Sequence, residues 1–272
     1  MSSLPAVRPR PLVYAHRGGS LLRPENTIAS FDHGLSLGAD GLELDVHLSR
    51  DGVVVVHHDA TLERTTSGRG RLDALTADEL AGLDAGHWFA PEGGPAPHAA
   101  AAASFPFRGQ GHGVPRLQQV LARYPGVPMI IELKVNDPRL AARTIDAIRA
   151  ARAVDRVAFG SFGWRVLRAA RACEPRIPTG ASREEVRLAL YRSWVRWPLG
   201  TPAYRELQVP EKFGPTRIVS SRFIAHAHRA GLPVKVWTVN DPNDMNRLLD
   251  WGVDALISDR PDLAVAAVSA RA

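Results

Sequence analysis

Eight short apolar segments alternate with helical segments along this chain, and this alternation constrains the fold more than any other feature. Strands that alternate with helices pair in parallel, and eight such units in roughly 250 residues match the size of a (β/α)8 barrel. An open, doubly wound sheet is the alternative. However, His16-Arg17-Gly18-Gly19 after the first segment differs from the G-x-G-x-x-G turn typical of that fold. The predicted barrel strands span residues 12–15, 40–46, 127–133, 156–161, 177–181, 206–209, 233–239 and 254–257.

Residues 60–113 interrupt the alternation. They contain one short helical pattern at 76–83, followed by a stretch from 90 to 113 that is rich in Pro, Gly and Ala. A long insertion of this kind is typical of a lid or a substrate-shaping element. We therefore expect a leader at 1–11 and a single domain at 12–272, with a small inserted subdomain after the second strand. A disordered linker over 93–103 is the alternative.

Composition and charge favour a cytoplasmic protein that acts on a small molecule. The net charge is +6, but the basic residues are scattered and often lie next to acids, so we expect no nucleic-acid partner. Cys173 is the one cysteine, which excludes an intrachain disulfide and favours a reducing compartment. The N-terminal sequence has no apolar signal core. No segment approaches the ~20 apolar residues that a membrane span requires.

Two carboxylates stand out in the second predicted strand. Glu43 and Asp45 are two positions apart, and residues two apart on a strand share one face. A further short strand at 53–56 ends in His57-His58-Asp59. Carboxylates clustered beside histidines destabilise a fold unless a metal ion or a reacting substrate compensates them. This stretch therefore predicts a functional site.

In a (β/α)8 barrel the active site lies at the carboxyl ends of the strands, whatever the chemistry. Acidic, basic and imidazole side chains follow the first three predicted strands, which are neighbours, and an aromatic and an amide follow the seventh. We expect these residues to converge on one rim. They are His16, Arg17, Glu43, Asp45, His58, Glu132, Lys134, Trp237 and Asn240.

These residue types suit displacement at phosphorus. Hard carboxylate oxygens without a thiolate favour Mg²⁺ or Ca²⁺, and Arg17 and Lys134 can bind phosphoryl oxygens. His16 and His58 titrate near neutral pH, so one can activate the attacking oxygen while the other protonates the leaving alkoxide. A leaving group that needs a proton predicts an alkyl phosphodiester substrate.

Structural roles are the alternative for each residue taken singly. Glu132 and Lys134 could form an ion pair that only neutralises two charges. A lone histidine is often just a hydrogen-bonded residue. His57 should face away from His58 along the chain, so we predict that His57 is structural.

At these residues the sequence resembles the glycerophosphodiester phosphodiesterase family. The resemblance runs from about residue 13 to residue 262, and its motifs occur in order at the family's spacing. They are AHRGG (15–19), RPENT (23–27), ELDVHLSRDG (43–52), HDATLERTT (58–66), LDAGHWF (83–89), VPRLQQVL (114–121), IELK (131–134), WTVN (237–240) and ISDRPD (257–262).

The resemblance implies a TIM-type barrel that hydrolyses glycerophosphodiesters to sn-glycerol 3-phosphate and an alcohol. The family's acid–base histidines match His16 and His58. Its metal carboxylates match Glu43, Asp45 and Glu132, its phosphate-contacting residues match Arg17 and Lys134, and Trp237 matches an aromatic of the glycerol pocket. Two alternatives stay open: a lysophospholipase D-type enzyme for larger lipids, and a catalytically silent barrel that binds a phosphorylated ligand.

Two segments depart from the family pattern. Residues 96–111 are longer and richer in alanine than a typical family insertion, which affects the expected pocket shape. Residues 191–199 are unusually aromatic and basic, which favours apolar packing beneath a loop. Weak contact with a membrane surface is the alternative for this second segment.

Overall fold

The computed structural model describes residues 10–91 and 105–271. The predicted 93–103 linker and most of the predicted leader therefore lie outside the described residues. The described part contains ten strands: β1 (Leu12–His16), β2 (Gly41–Leu48), β3 (Val54–Val56), β4 (Met129–Leu133), β5 (Val157–Gly160), β6 (Leu207–Pro210), β7 (Lys212–Phe213), β8 (Thr216–Arg217), β9 (Val234–Trp237) and β10 (Ala255–Ser258).

Nine α-helices occur in the same ranges: α1 (Ile28–Ser36), α2 (Ala77–Ala81), α3 (Leu117–Arg123), α4 (Pro138–Ala150), α5 (Trp164–Cys173), α6 (Arg183–Val195), α7 (Ser221–Arg229), α8 (Pro242–Trp251) and α9 (Pro261–Ser269). Pro242 and Pro261 begin α8 and α9, where a missing N–H leaves no helical bond unmade. Thr27 rather than Asn26 caps α1, because its hydroxyl accepts the Ser30 N–H.

Seven parallel strands form a nearly closed barrel in the order β5-β4-β2-β1-β10-β9-β6. The gap between β5 and β6 is filled by residues 177–181, predicted as a strand but paired too briefly to form one. The Phe159 N–H donates to the Pro178 carbonyl at 2.9 Å, and the Gly180 N–H donates to the Phe159 carbonyl at 2.7 Å. On the other side the Arg205 N–H donates to the Thr179 carbonyl at 2.9 Å. Eight extended segments therefore close the ring.

Alternation along each strand separates the core from the site. On β2 the apolar Leu42, Leu44 and Val46 belong to the main core between the sheet and the helices. Side chains on a strand alternate between faces, so Glu43 and Asp45 turn the other way, into the barrel. The same rule turns the even-numbered residues of β1 and β4 inward, including the site residues at their ends.

Side chains fill the barrel interior below the carboxyl ends of the strands, which we call the upper end of the barrel. Tyr14, Ile130, Ala255 and Ile257 form a buried apolar cluster inside the ring, packed against Trp237. Deeper inside, the Lys235 ammonium lies 2.8 Å from a Glu206 carboxylate oxygen, and both residues are buried. The interior is therefore a packed core, as is usual for this fold, and only the upper end remains available for a ligand.

The insertion after β3 has a small apolar core of its own. Its buried cluster joins Val55 of β3 to residues of the insertion, among them Leu62, Leu72, Leu80 and Ala85. The short helical pattern predicted at 76–83 is present as α2, capped by Thr76. The division into one domain with an inserted subdomain at 60–113 stays a prediction.

No helix within residues 10–91 or 105–271 is long and apolar enough to cross a lipid bilayer.

Candidate active site

The predicted site residues meet at the upper end of the barrel. Seven of the eight residues proposed for catalysis, substrate binding or metal binding line one cavity of about 420 Å³. The eighth, Asp45, is completely buried behind this wall. The seven lining residues are His16, Arg17, Glu43, His58, Glu132, Lys134 and Trp237.

Three carboxylates converge at this cavity. One oxygen from each of Glu43, Asp45 and Glu132 lies within 4.8 Å of the other two. Parallel register explains the approach, because Asp45 of β2 stands opposite Glu132 of β4. The Asp45 Oδ1 atom is buried and has no hydrogen-bond partner. A buried acceptor without a hydrogen bond costs free energy, so this cluster of hard oxygens is suited to a cation.

The pKa values of the three carboxylates are shifted in different directions. Burial, reinforced by the negative charge of Asp45, raises the pKa of Glu43 to about 8. Burial also raises the pKa of Glu132. Asp45 differs because, although burial opposes ionisation, Lys134 and Arg17 hold its pKa below the usual range. Carboxylates forced together in this way are typical of functional sites.

His16 is held by an acid at the opposite end of the chain. Its Nδ1 lies 2.6 Å from Asp259 Oδ1, and its Nε2 lies 3.7 Å from Glu43 Oε2. Asp259 is fixed in turn, since the Asn240 side-chain amide donates to Asp259 Oδ2 at 2.8 Å. Burial lowers the pKa of His16, but the Glu43 charge and the Asp259 hydrogen bond outweigh burial and raise that pKa overall.

His58 has a matching support on the other side of the cavity. Its Nδ1 lies 2.5 Å from Asp59 Oδ1. Arg64 binds Asp59, with its Nε at 2.6 Å from Oδ2, and also reaches Glu25 with two hydrogen bonds of 2.7 and 2.8 Å. Glu25 also accepts a hydrogen bond from Arg17 at 3.1 Å. This network orients His58 and Arg17 together.

Glu132 and Lys134 do form the ion pair considered above, with Nζ and Oε1 3.2 Å apart. However, Lys134 also lies 3.4 Å from Asp45 Oδ1, and both members of the pair line the cavity. Trp237 packs edge-on against Phe162 with ring centroids 5.7 Å apart, so an aromatic wall stands beside the charged cluster.

His57 lies apart from the cavity. It is buried, and its Nε2 lies 3.2 Å from the Thr61 carbonyl oxygen. Its position agrees with the prediction that it is structural.

Several supporting residues were not predicted from the sequence. Asp259, Asp59, Glu25 and Arg64 lie within the quoted motifs, but their positions in the sequence did not predict a role for them. An acid next to a candidate histidine was the available signal for Asp59. Asn26 is a further supporting residue, because its side-chain amide donates to Asp45 Oδ2 at 2.9 Å.

Comparisons with known proteins agree with this geometry. The sequence model of the Glycerophosphoryl diester phosphodiesterase family matches residues 16–263. A glycerophosphodiester phosphodiesterase of Caldanaerobacter subterraneus is 31% identical over 259 residues, covering 93% of this chain and 96% of that relative. One from Bacillus subtilis is 30% identical over 273 residues, with coverage of 93% and 85%.

Solved structures agree as well. A glycerophosphodiester phosphodiesterase of Agrobacterium tumefaciens is 28% identical with a TM-score of 0.73, covering 94% of this chain and 99% of that one. A phosphodiesterase of Oleispira antarctica, solved in complex with the product sn-glycerol-3-phosphate, is also 28% identical with a TM-score of 0.73, covering 96% and 97%. The predicted barrel and family are therefore confirmed: the chain belongs to the glycerophosphoryl diester phosphodiesterase family, a family of phosphoric diester hydrolases.

Proposed function

We propose that this protein hydrolyses glycerophosphodiesters to sn-glycerol 3-phosphate and an alcohol, using a divalent cation and two histidines. One observation carries the proposal: a cluster of three carboxylates shares a cavity with His16, His58, Arg17 and Lys134. The Oleispira antarctica relative, which binds sn-glycerol-3-phosphate, supports the same class of substrate.

Glu43, Asp45 and Glu132 would hold the cation. Their all-oxygen donor set fits Mg²⁺ or Ca²⁺ better than a thiophilic metal, and Asp45 Oδ1 accepts no hydrogen bond from the described residues. When bound, the cation would supply positive charge that neutralises the phosphoryl oxygens and favours deprotonation of the attacking water. Arg17 and Lys134 add positive charge on the same side, so a phosphodiester is drawn to this end of the barrel.

The two histidines would move the protons. Asp259 fixes the Nδ1 side of His16, and Asp59 fixes the Nδ1 side of His58. In each ring the remaining nitrogen, Nε2, is left for a proton transfer. One imidazole takes a proton from the attacking water, and the other gives a proton to the departing alkoxide oxygen, which balances the reaction. Trp237 would pack against the glycerol carbons.

The proposed activity has a direct assay. Purified protein mixed with glycerophosphocholine and Mg²⁺ or Ca²⁺ should release glycerol 3-phosphate, which a coupled dehydrogenase assay quantifies. A chelator should stop the release, and added cation should restore it. Binding of glycerophosphocholine without release would instead support a silent phospho-ligand-binding barrel. If the chelator did not change the release of glycerol 3-phosphate, the proposed metal dependence would be wrong.

Asp259→Asn should lower kcat by about 10²–10⁴-fold, since a carboxylate that fixes a catalytic imidazole in the correct tautomer contributes on this scale. The carboxylate also raises the pKa of His16. In the variant, the apparent pKa that His16 contributes to the pH profile of kcat/KM should therefore be lower. The pH profiles of kcat/KM for the two proteins test both expectations. An unchanged profile would show that Asp259 does not act through His16.

The remaining expectations from the sequence are also proposals. We propose a cytoplasmic location, no nucleic-acid partner, and a single domain over residues 12–272 with an insertion at 60–113.

A further inference from the structure

The cavity continues well beyond the two histidines, along one face of α6. The residues of α6 that line it follow the i, i+3, i+4 spacing of a single helical face: Arg183, Val186, Arg187, Leu190, Tyr191 and Trp194. At 1.5 Å per residue this face is roughly 16 Å long. We call this extension of the cavity the α6 trough.

The opposite wall of the α6 trough comes from the loop after β5 and from the β7–β8 hairpin. Phe162 and Phe213 line it, together with Pro210 and Ile218. Phe162 also contacts Trp237, so one aromatic wall runs without a break from the catalytic end into the trough. A group that fills the trough could therefore be covalently attached to the phosphodiester at the catalytic end.

Exposed apolar side chains concentrate here. Of the ten large hydrophobic residues that are exposed within residues 10–91 and 105–271, four line the trough: Phe162, Tyr191, Trp194 and Phe213. Tyr191, Trp194 and Phe213 line the trough and are 52%, 50% and 60% exposed. Exposed apolar surface of this kind marks a binding site. Apolar packing beneath a loop, the interpretation favoured for 191–199, applies to Leu199, which is buried, but not to Tyr191 or Trp194.

The charges of the trough favour an uncharged or anionic occupant over a cationic one. Glu43 and Glu132, at the catalytic end, are the acidic residues in the described cavity wall. Arg183 stacks over the Phe162 and Phe213 rings, at 5.3 and 5.9 Å from their centroids. Arg187 has no ion pair or hydrogen bond within the described ranges. An uncharged hydrocarbon chain attached to an anionic phosphodiester therefore fits both the wall and its charges.

We propose that the preferred substrate carries one alkyl or acyl chain on its phosphodiester, and that this chain lies in the α6 trough. This inference rests on the proposed phosphodiesterase activity and narrows it to single-chain lipids. The chain could be attached on the glycerol side or on the alcohol side of the phosphate. Both arrangements present the same chemistry to the trough, and two substrate series distinguish them.

The test measures kcat/KM along each series, with glycerophosphocholine as the chain-free reference. One series carries acetyl, butanoyl, hexanoyl or octanoyl groups on the glycerol of glycerophosphocholine. The other replaces choline with ethanol, butanol, hexanol or octanol. All are used below their micelle concentrations, so that no lipid surface is present.

In one series kcat/KM should rise by about twofold per added methylene. This factor corresponds to about half of the ~0.8 kcal/mol for a fully buried methylene, because the trough is open to solvent and buries each methylene only in part. The series that rises identifies the side that carries the chain. If glycerophosphocholine is cleaved but both series are flat, the trough proposal is wrong and the proposed function stands. If nothing is cleaved, the proposed function itself fails.

Variants of α6 provide a matched control. Tyr191→Glu and Trp194→Glu place a charge in the trough. In the series that rises, each should lower the ratio of kcat/KM between the eight-carbon and the two-carbon substrate by about tenfold. Leu188→Glu and Val195→Glu make the same change at exposed positions on the same helix that are outside the cavity wall. These two variants should retain the wild-type ratio. Equal effects in all four variants would overturn the proposal.

A membrane surface is the competing explanation for the exposed aromatic residues. In that case the monomeric series would be flat, and the rate would increase only when long-chain substrate is presented in anionic vesicles. This result would overturn the trough proposal and indicate that residues 191–199 contact a membrane surface instead.

Discussion

Replacing either His16 or His58 with alanine is expected to lower kcat for glycerophosphocholine by about 10²–10⁴-fold, the usual contribution of general acid–base catalysis. Both imidazoles line the cavity, and each has its Nδ1 held by a carboxylate. The effect of the double variant should be smaller than the product of the single effects, because residues that act as a unit are not additive.

His33→Ala is the matched control, because this half-buried histidine lies on α1 and does not line the cavity. It should retain wild-type kcat. Circular dichroism and thermal unfolding should show that all the variants remain folded. A folded His16→Ala or His58→Ala variant with a kcat within about threefold of wild type would contradict the assigned proton transfers.

Asp45→Asn is expected to lower the metal-dependent rate by about 10²-fold or more, and to move the metal activation curve to higher concentration. Even supporting residues around metal sites contribute 10–100-fold, and Asp45 would be a direct ligand. The substitution preserves size but removes the charge that lies near Lys134 and Arg17. Kinetics across a range of Mg²⁺ and Ca²⁺ concentrations, with calorimetric titration, measure both effects.

Asp146→Asn is the control for this substitution, since Asp146 is an exposed residue of α4 away from the cavity. It should leave the activation curve unchanged. An Asp45→Asn variant that is folded and binds the cation with wild-type affinity would show that the carboxylate cluster is not the metal site.

Local periodicity was sufficient to predict the barrel and to place most of the candidate site residues at one cavity. Alternation along β2 places Glu43 and Asp45 on the inner face while their neighbours pack in the core. The rule that barrel sites lie at strand ends then brought His16 and Glu132 to the same cavity. Both inferences use only the local sequence of each strand and a general rule for this fold.

The supporting contacts could not be predicted in the same way. His16 and Asp259 are separated by 243 positions, and their contact exists only because β10 closes the ring against β1. Arg64 reaches Glu25 over 39 positions of sequence, a contact set by how the insertion packs. The α6 trough depends on the spacing between α6 and the β7–β8 hairpin. No local pattern encodes such distances.

The central claim is that a cation binds between Glu43, Asp45 and Glu132, in the same cavity as the two histidines. Anomalous diffraction from crystals soaked with Mn²⁺ and glycerol 3-phosphate tests it most directly. We predict one strong peak, with an oxygen of each carboxylate about 2.0–2.6 Å from it, the range for hard cations, and the phosphate between His16 and His58. A peak elsewhere, or carboxylates that bind no ion at saturating Mn²⁺, would contradict the account.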